Sequence, residues 1–303
     1  MVYDRDKEIE NFVPVPYWRV VLKDVYGNTF YSKKFDKEKD AQALLDRLKN
    51  GAYVAKIERY VTRETPPAPL TESTLQQNAS KKFGYMPEKT MQIAQGLFNN
   101  SHITYMRTDS VRLADETIAQ IRKYIDGAFE NILPPKARVH KDKGEGVQGA
   151  HEAIHPTNMS PSGDPNVMQG LTIEEQNVYK MIWDYAMASQ AADAEWNVLK
   201  LTACPIGSTE MLTSSGKSLA SPGWRKILGK ERDDKIDKEA ESPALGRYKE
   251  KEAINGKSTL SREETKQPSF YTVNTLLKAL EKTEVGRPAT WAPIVKPILT
   301  KYY

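Results

Sequence analysis

"NNSHITYMRTDSVRL" (residues 99–113) places Tyr105, Arg107 and Asp109 at alternate positions. Helical patterns lie on both sides of it. Read as extended chain, it puts these three side chains on one face, because the side-chain period of an extended segment is two. A strand with one polar face satisfies the same pattern. So does a reactive site, because a guanidinium beside a phenol favours the phenolate and clamps a phosphate in two-point geometry. Without that help a phenol is a poor nucleophile at neutral pH, its unperturbed pKa being about 10. Asp109 is then a partner that holds Arg107 in place. The surrounding sequence has to decide between the two.

Upstream of the stretch, "MPEKTMQIAQGLFNN" carries Met91, Ala94, Leu97 and Phe98 at helical spacing. Before it, "TESTLQQNASKKFG" has a capping-box pattern, Ser73 with Gln76, and closes at Gly84. "TPPAPL" (65–70) is a stiff connector that marks a lobe boundary. Ahead of that boundary the chain reads as β structure around one helix. "PYWRVVLKDVYGNTFYSKKF" predicts a hairpin about Tyr26-Gly27-Asn28, "DKEKDAQALLDRLKN" a helix ending at Gly51, and "AYVAKIERYVTRE" an alternating strand. Residues 1–13 read as the tail of a helix with Ile9 and Phe12 as its apolar positions.

Downstream, Ile118, Ile121 and Ile125 share a helical face, and residues 134–170 are loop-like. In "TIEEQNVYKMIWDYAMASQ", Thr172 and Glu175 form a capping box, with Val178, Met181, Ile182 and Tyr185 as the buried stripe. "EWNVLKLTACPIG" returns to strand alternation, so β structure brackets a helical insert. Residues 226–242 read as a solvated charged linker, and the segment from Pro268 as a helix with Leu276, Leu277 and Leu280 inward.

The 303 residues have 39% hydrophobic content, lean for one compact core and suited to small lobes. Forty-four basic against 40 acidic residues permit a polyanionic partner without demanding one. The single cysteine, Cys204, excludes a disulfide framework and reads as a buried hydrophobe. The charged N-terminus has no apolar segment of the signal-peptide kind, and no run approaches a membrane span; the expectation is a soluble, cytoplasmic protein.

Two further motifs carry chemistry. "GEGVQGAHEAIHPTN" (144–158) sets His151, Glu152 and His155 after a glycine-rich loop. A histidine there can face a phosphate or shuttle a proton, and an inert loop is the plainer alternative. The H-E-x-x-H spacing of a zinc helix is met, but Pro156 follows at once and disfavours it. In "VGRPAT" (285–290), Arg287 stands ahead of a helix start with Thr290 as a candidate cap, a natural phosphate cradle or an ordinary helix entry. Trp224 and Trp291 could stack bases or fill core.

"PPAPLTESTLQQNASKKFG", "ITYMRTDSVR", "GAHEAIHPT", "VYKMIWDYAMASQ" and "TLLKALEKTEVGRPATWAPIV" occur in this order. Together they resemble the type IA DNA topoisomerases, over nearly the whole chain. The resemblance implies an α+β fold: a β-rich arch (14–66 and 191–228), an inserted helical lobe with the catalytic tyrosine (67–190), and a linker with part of a C-terminal helical groove domain (229–303). Residues 1–13 would be the remnant of a helix that follows a TOPRIM domain.

It also implies roles. Tyr105 would attack a single-strand phosphodiester and hold the 5′ phosphate as a phosphotyrosine. Arg107 would stabilise the phosphate, Asp109 order the site, and His151 contact the backbone. Arg287 and Thr290 would line the DNA-binding groove, with His155, which stands where the family commonly has arginine. A transesterification conserves the phosphodiester bond energy and needs no ATP motif, and no G-x-x-x-x-G-K-[ST] occurs. No D-x-D-x-E run occurs either, so Mg²⁺ is expected on a TOPRIM domain outside these residues, supplied in trans or by a longer protein. A catalytically inactive single-stranded-DNA-binding module on the same scaffold is the alternative. Pro293 is tolerable near a helix start, whereas Pro297 is expected to kink or end the helix.

Overall fold

The computed structural model describes residues 1–142, 151–159, 170–229 and 246–302, and the side chains of these up to residue 298. The described residues form two compact units. One holds Met1–Glu64, Glu195–Ser221 and residues 246–270; the other holds Thr65–Ala194, residues 222–229 and residues 271–302. Each has its own apolar core, as the lean composition predicts.

The first unit is a seven-stranded sheet. Its strands are β1 (Pro16–Asp24), β2 (Thr29–Ser32), β3 (Ala52–Glu64), β4 (Ala194–Pro205), β5 (Leu212–Ser221), β6 (Ala253–Ile254) and β7 (Gly256–Glu264), in the order β6-β3-β4-β5-β2-β1-β7. Helix α1 (Val2–Glu10) precedes the sheet and α2 (Glu38–Leu48) packs Ala41, Leu44 and Leu48 into the core with Val20, Leu22, Phe30, Val54 and Leu201. The predicted hairpin is present. Asp24, buried at its corner, accepts bonds from the Tyr26 and Asn28 amides and from Tyr248 Oη at 2.7 Å, and Gly27 takes the positive φ the turn requires. Cys204 is buried, as expected.

One boundary differs from the sequence reading. The segment 229–303 is not a separate linker and helical domain: β7 pairs with β1 from Pro16↔Glu264 to Asp24↔Gly256, while residues 271–302 join the other unit. "GKSTLSREE" carries no fully buried residue, so no apolar alternation announces it. It is an edge strand whose charges protect the open ladder. Residues 230–242 of the expected charged linker lie outside the described residues.

The second unit packs α3 (Glu72–Phe83), α4 (Pro87–Asn99), α5 (Asp115–Ala128), α6 (Ile173–Ser189), α7 (Arg225–Leu228), α8 (Val273–Lys282) and α9 (Pro288–Tyr302). Its core includes Leu75, Leu97, Ile103, Met106, Ile121, Ile125, Val178, Ile182, Met187 and Trp224. Trp224 and Trp291 are both buried, which makes them core rather than stacking platforms. Helix α6 has the expected Thr172–Glu175 box, and α3 ends at Gly84 in the left-handed conformation.

The N-terminal cap of α3 is corrected. Thr71 caps it and exchanges bonds with Thr74, which frees Ser73, Gln76 and Gln77 to reach α8 and α9. Helix α9 is corrected too, since it continues through Pro297. Pro293 and Pro297 both lie on its exposed side, opposite buried Trp291 and Val295, so water can take the carbonyls left without an amide.

Candidate active site

Three irregular, extended segments meet beside the start of α3: the connector 67–71, the tyrosine segment 101–112 and the histidine segment 151–157. None is a regular strand. They are joined by the isolated bridges Leu70↔Ile154 and Ile103↔Pro156. The Ile154 amide donates to Leu70 O (2.8 Å), the Ala153 amide to Arg112 O (2.8 Å) and the Thr157 amide to His102 O (3.1 Å). Thr104 is the central pin: its amide donates to His155 O (2.9 Å), and its hydroxyl accepts from the His155 amide (3.0 Å) and donates to Ala153 O (3.1 Å).

This clamp preserves the predicted period of two without a ladder. Met106, Thr108 and Ser110 are buried, while Tyr105, Arg107 and Asp109 alternate with them and are exposed. Tyr105 is 42% exposed, its ring edge-on to Phe98 (5.5 Å between centroids) and 6.1 Å from the His151 ring. The structure therefore brings Tyr105, Arg107, Asp109 and His151 to one surface. Gly144, Gly146 and Gly149, ahead of His151, lie outside the described residues.

Two sequence expectations change here. Asp109 makes no hydrogen bond or ion pair to Arg107 among the described residues. The carboxyl that feels Arg107 is Glu72, the first residue of α3, which the sequence reading passed over. Its amide donates to Thr108 O (2.8 Å), tying α3 to the tyrosine segment between Arg107 and Asp109. Glu72 is 6% exposed, and burial raises its carboxyl above the ordinary carboxylate range, against the pull of the Arg107 charge.

His155 is not a surface contact. It is buried, its Nδ1 is 2.7 Å from Pro156 O and its Nε2 3.1 Å from Glu152 Oε2, which also accepts from the Ala114 amide. It braces the histidine segment instead of facing a strand.

Arg287 and Thr290 reach the same neighbourhood through α9. Gln76 Nε2 donates to Pro288 O (3.1 Å) and lies 3.5 Å from Glu72 Oε1. Thr290 is the third helical residue rather than the N-cap: its hydroxyl accepts from the Arg287 amide at 2.9 Å. That holds Arg287 at the helix entry, where unpaired amides and the helix dipole favour an anion. Among the described residues no group of His, Cys, Asp and Glu is arranged to hold a metal ion, and no helix is long and apolar enough to cross a membrane.

The sequence model of the DNA topoisomerase family matches residues 1–303. DNA topoisomerase 1 of Pseudomonas aeruginosa is 35% identical over 317 residues, spanning all of this chain and 35% of the relative. DNA topoisomerase 1 of Rickettsia prowazekii is 33% identical over 328 residues, again spanning all of this chain and 42% of the relative. The structure of full-length topoisomerase I from Thermotoga maritima superposes with a TM-score of 0.76 at 28% identity, covering 99% of this chain and 49% of that one. The chain thus spans about two fifths of the length of the curated relatives it matches. Five ordered motifs, a tyrosine and an arginine on one exposed face, and whole-chain similarity agree: this chain belongs to the type IA DNA topoisomerases.

Proposed function

We propose that the chain is the tyrosine-bearing portion of an ATP-independent DNA isomerase that cuts and rejoins single-stranded DNA. The observation that carries the reading is Tyr105 and Arg107 on one exposed face, with the His151 ring 6.1 Å from the tyrosine. In cleavage the Tyr105 Oη–P bond forms as the P–O3′ bond breaks. The phenol gives up its proton and the departing 3′ oxygen gains one. The energy of the phosphodiester is kept in the phosphotyrosine, so religation is the same step reversed. Arg107 opposes the charge that gathers on the phosphate, and such fixed charge and positioning supply most of the acceleration in phosphoryl transfer. His151 holds the adjoining backbone, and Arg287 with the α9 entry receives a neighbouring phosphate.

The described residues do not fit Mg²⁺, since no group of His, Cys, Asp and Glu among them is arranged to hold an ion. In this reading a TOPRIM-bearing polypeptide, in trans or in the same protein, brings the ion and the second half of the site.

The test mixes the chain, with and without a separate TOPRIM polypeptide, with 3′-labelled single-stranded DNA and Mg²⁺, then denatures the sample. A labelled covalent species is expected with the partner and is absent in Tyr105→Phe. No adduct under either condition, with salt-sensitive DNA binding left intact by Tyr105→Phe, would replace this reading with a binding module. An adduct that survives in Tyr105→Phe would remove Tyr105 from the chemistry.

A further inference from the structure

A buried carboxyl lies on the residue whose amide is bonded next to the arginine that receives the phosphate, and cleavage and religation make no use of it. Glu72 opens α3, its amide bonded to Thr108 O between Arg107 and Asp109. Its side chain has one polar partner among the described residues, Gln76 Nε2 at a long 3.5 Å, and that amide also donates to Pro288 O. The carboxyl therefore lies between the segment carrying Arg107 and the helix entry carrying Arg287, and it forms an ion pair with neither among the described residues.

The elements bonded to α3 carry the charged groups Arg107 and Asp109 on the tyrosine segment, Glu281 on α8 and Arg287 ahead of α9. The Arg107 charge pulls on the Glu72 carboxyl, against the effect of its burial. Influence of this kind is mutual: whatever the guanidinium does to the ionisation of Glu72, the ionisation of Glu72 does to the pull of Arg107 on another anion.

We propose that Glu72 is a positioning residue for Arg107, whose ionised carboxyl draws the guanidinium inward and competes with a DNA phosphate for it. The proposal rests on the reading of Arg107 as a phosphate ligand. When Glu72 is protonated, the guanidinium is left wholly to the phosphate; when it is ionised, phosphate binding has to displace an attraction already in place. Burial makes the neutral form easier to reach, so the approach of a polyanion, which itself favours protonation, can neutralise Glu72 as the strand binds. Among the described residues no hydrogen bond or ion pair joins Glu72 to Tyr105 or His151, and it acts through Arg107.

The variant Glu72→Gln keeps the size and the helix start. It removes a charge whose burial is unfavourable above its titration range, so the fold tolerates it. The measurement is equilibrium binding of a fluorescent single-stranded oligonucleotide to the full chain, across a pH series, without Mg²⁺ so that no strand is cut. Above the range in which Glu72 titrates, E72Q should bind up to roughly fivefold more tightly than wild type, the reach of one partly screened charge interaction. As pH falls and protonates Glu72, that ratio should return to one. In an Arg107→Gln background it should be one at every pH.

A ratio of one throughout, a ratio independent of pH, or a ratio that persists without Arg107 would each overturn the proposal. Histidine protonation changes wild type and E72Q alike and cancels in the ratio. The adduct assay with Tyr105→Phe reads the chemistry, whereas the affinity ratio reads Arg107, so failure of one is distinguishable from failure of the other.

Discussion

Thr104 is the joint on which the tyrosine and histidine segments share their geometry, and its removal can be worked out in advance. Thr104→Val keeps the shape and the β-branch and replaces the hydroxyl by a methyl. The His155 amide, in a residue 7% exposed, then loses its acceptor. The Ala153 carbonyl, in a fully buried residue, loses a donor. A buried amide left unsatisfied costs about 1–3 kcal/mol and a lost ordinary hydrogen bond about 1 kcal/mol, so the substitution should destabilise by about 2–4 kcal/mol. Thr104→Ser keeps the hydroxyl and gives up only a methyl, and should cost about 1 kcal/mol or less.

Urea denaturation followed by tryptophan fluorescence suits the measurement, since Trp183, Trp224 and Trp291 all lie in this unit. Amide exchange localises the effect: the Thr104 and His155 amides should exchange roughly 100-fold faster in the valine variant, the equivalent of about 3 kcal/mol. Adduct formation should fall with them, because Tyr105 and His151 sit on the two segments that Thr104 joins. A loss below about 0.5 kcal/mol, with unchanged exchange at both amides, would refute the view that these bonds set the site.

Gly223→Ala should be among the costliest single changes. A Cβ there would run into Asp193 O and stand 2.5 Å from Ala192 O at a backbone φ of +47°, so about 3 kcal/mol or more should be lost in the same denaturation assay. Glu281→Ala removes the acceptor of Ser73 Oγ (2.7 Å) and Gln77 Nε2 (2.9 Å); α8 amides should exchange faster while those of α6 do not change. His140 is held below the ordinary imidazole value by burial, against its Nε2–H bond to Ser189 O and with help from the Arg138 charge. The unfolded chain therefore takes up that proton first. This increment of stability is present above the ordinary histidine value of 6.5 and is lost as pH falls through the lower folded value, a dependence that His140→Gln should flatten.

The parts of the fold that the sequence made legible are those in which one residue's environment follows from its neighbours in the chain. The stripes of α5 and α6, the turn at Gly27 and the alternation about Tyr105 are of this kind. The lobe boundary at residues 65–70 was readable from its prolines. What escaped depends on residues far apart. Glu72 has no neighbour in the chain that marks it, and only the bond from its amide to the distant Thr108 carbonyl ties it to the segment of Arg107. Strand β7 has no apolar period because a charged edge needs none. Ser73 and Gln76 suggested a cap, but Thr71 and Thr74 make it, and the two are spent on α8 and α9. His155 had two polar nitrogens and an exposed-looking motif, yet Pro156 and Glu152 turn it inward. Pro297 read as a helix end because the sequence alone could not show that it faces solvent.

The order in which the chain assembles follows from a feature of the sheet. The tyrosine lobe leaves at the end of β3 and returns at the start of β4, neighbours in the strand order whose adjoining ends are pinned by Arg63 Nε and Glu195 Oε1 at 2.8 Å. Bringing those two strands together across an unfolded 65–194 segment would cost about 4 kcal/mol in loop entropy, from the logarithmic dependence on length. A lobe that folds first holds its own two ends near each other and turns that search into the closing of a short loop. Emerging from the ribosome, β1–β3 would wait with one face open until the lobe is complete, and β7, which follows the lobe in sequence, would seal β1 only after that. Substitutions that slow the lobe should then appear as aggregation through the waiting strands, even when they leave the finished sheet untouched.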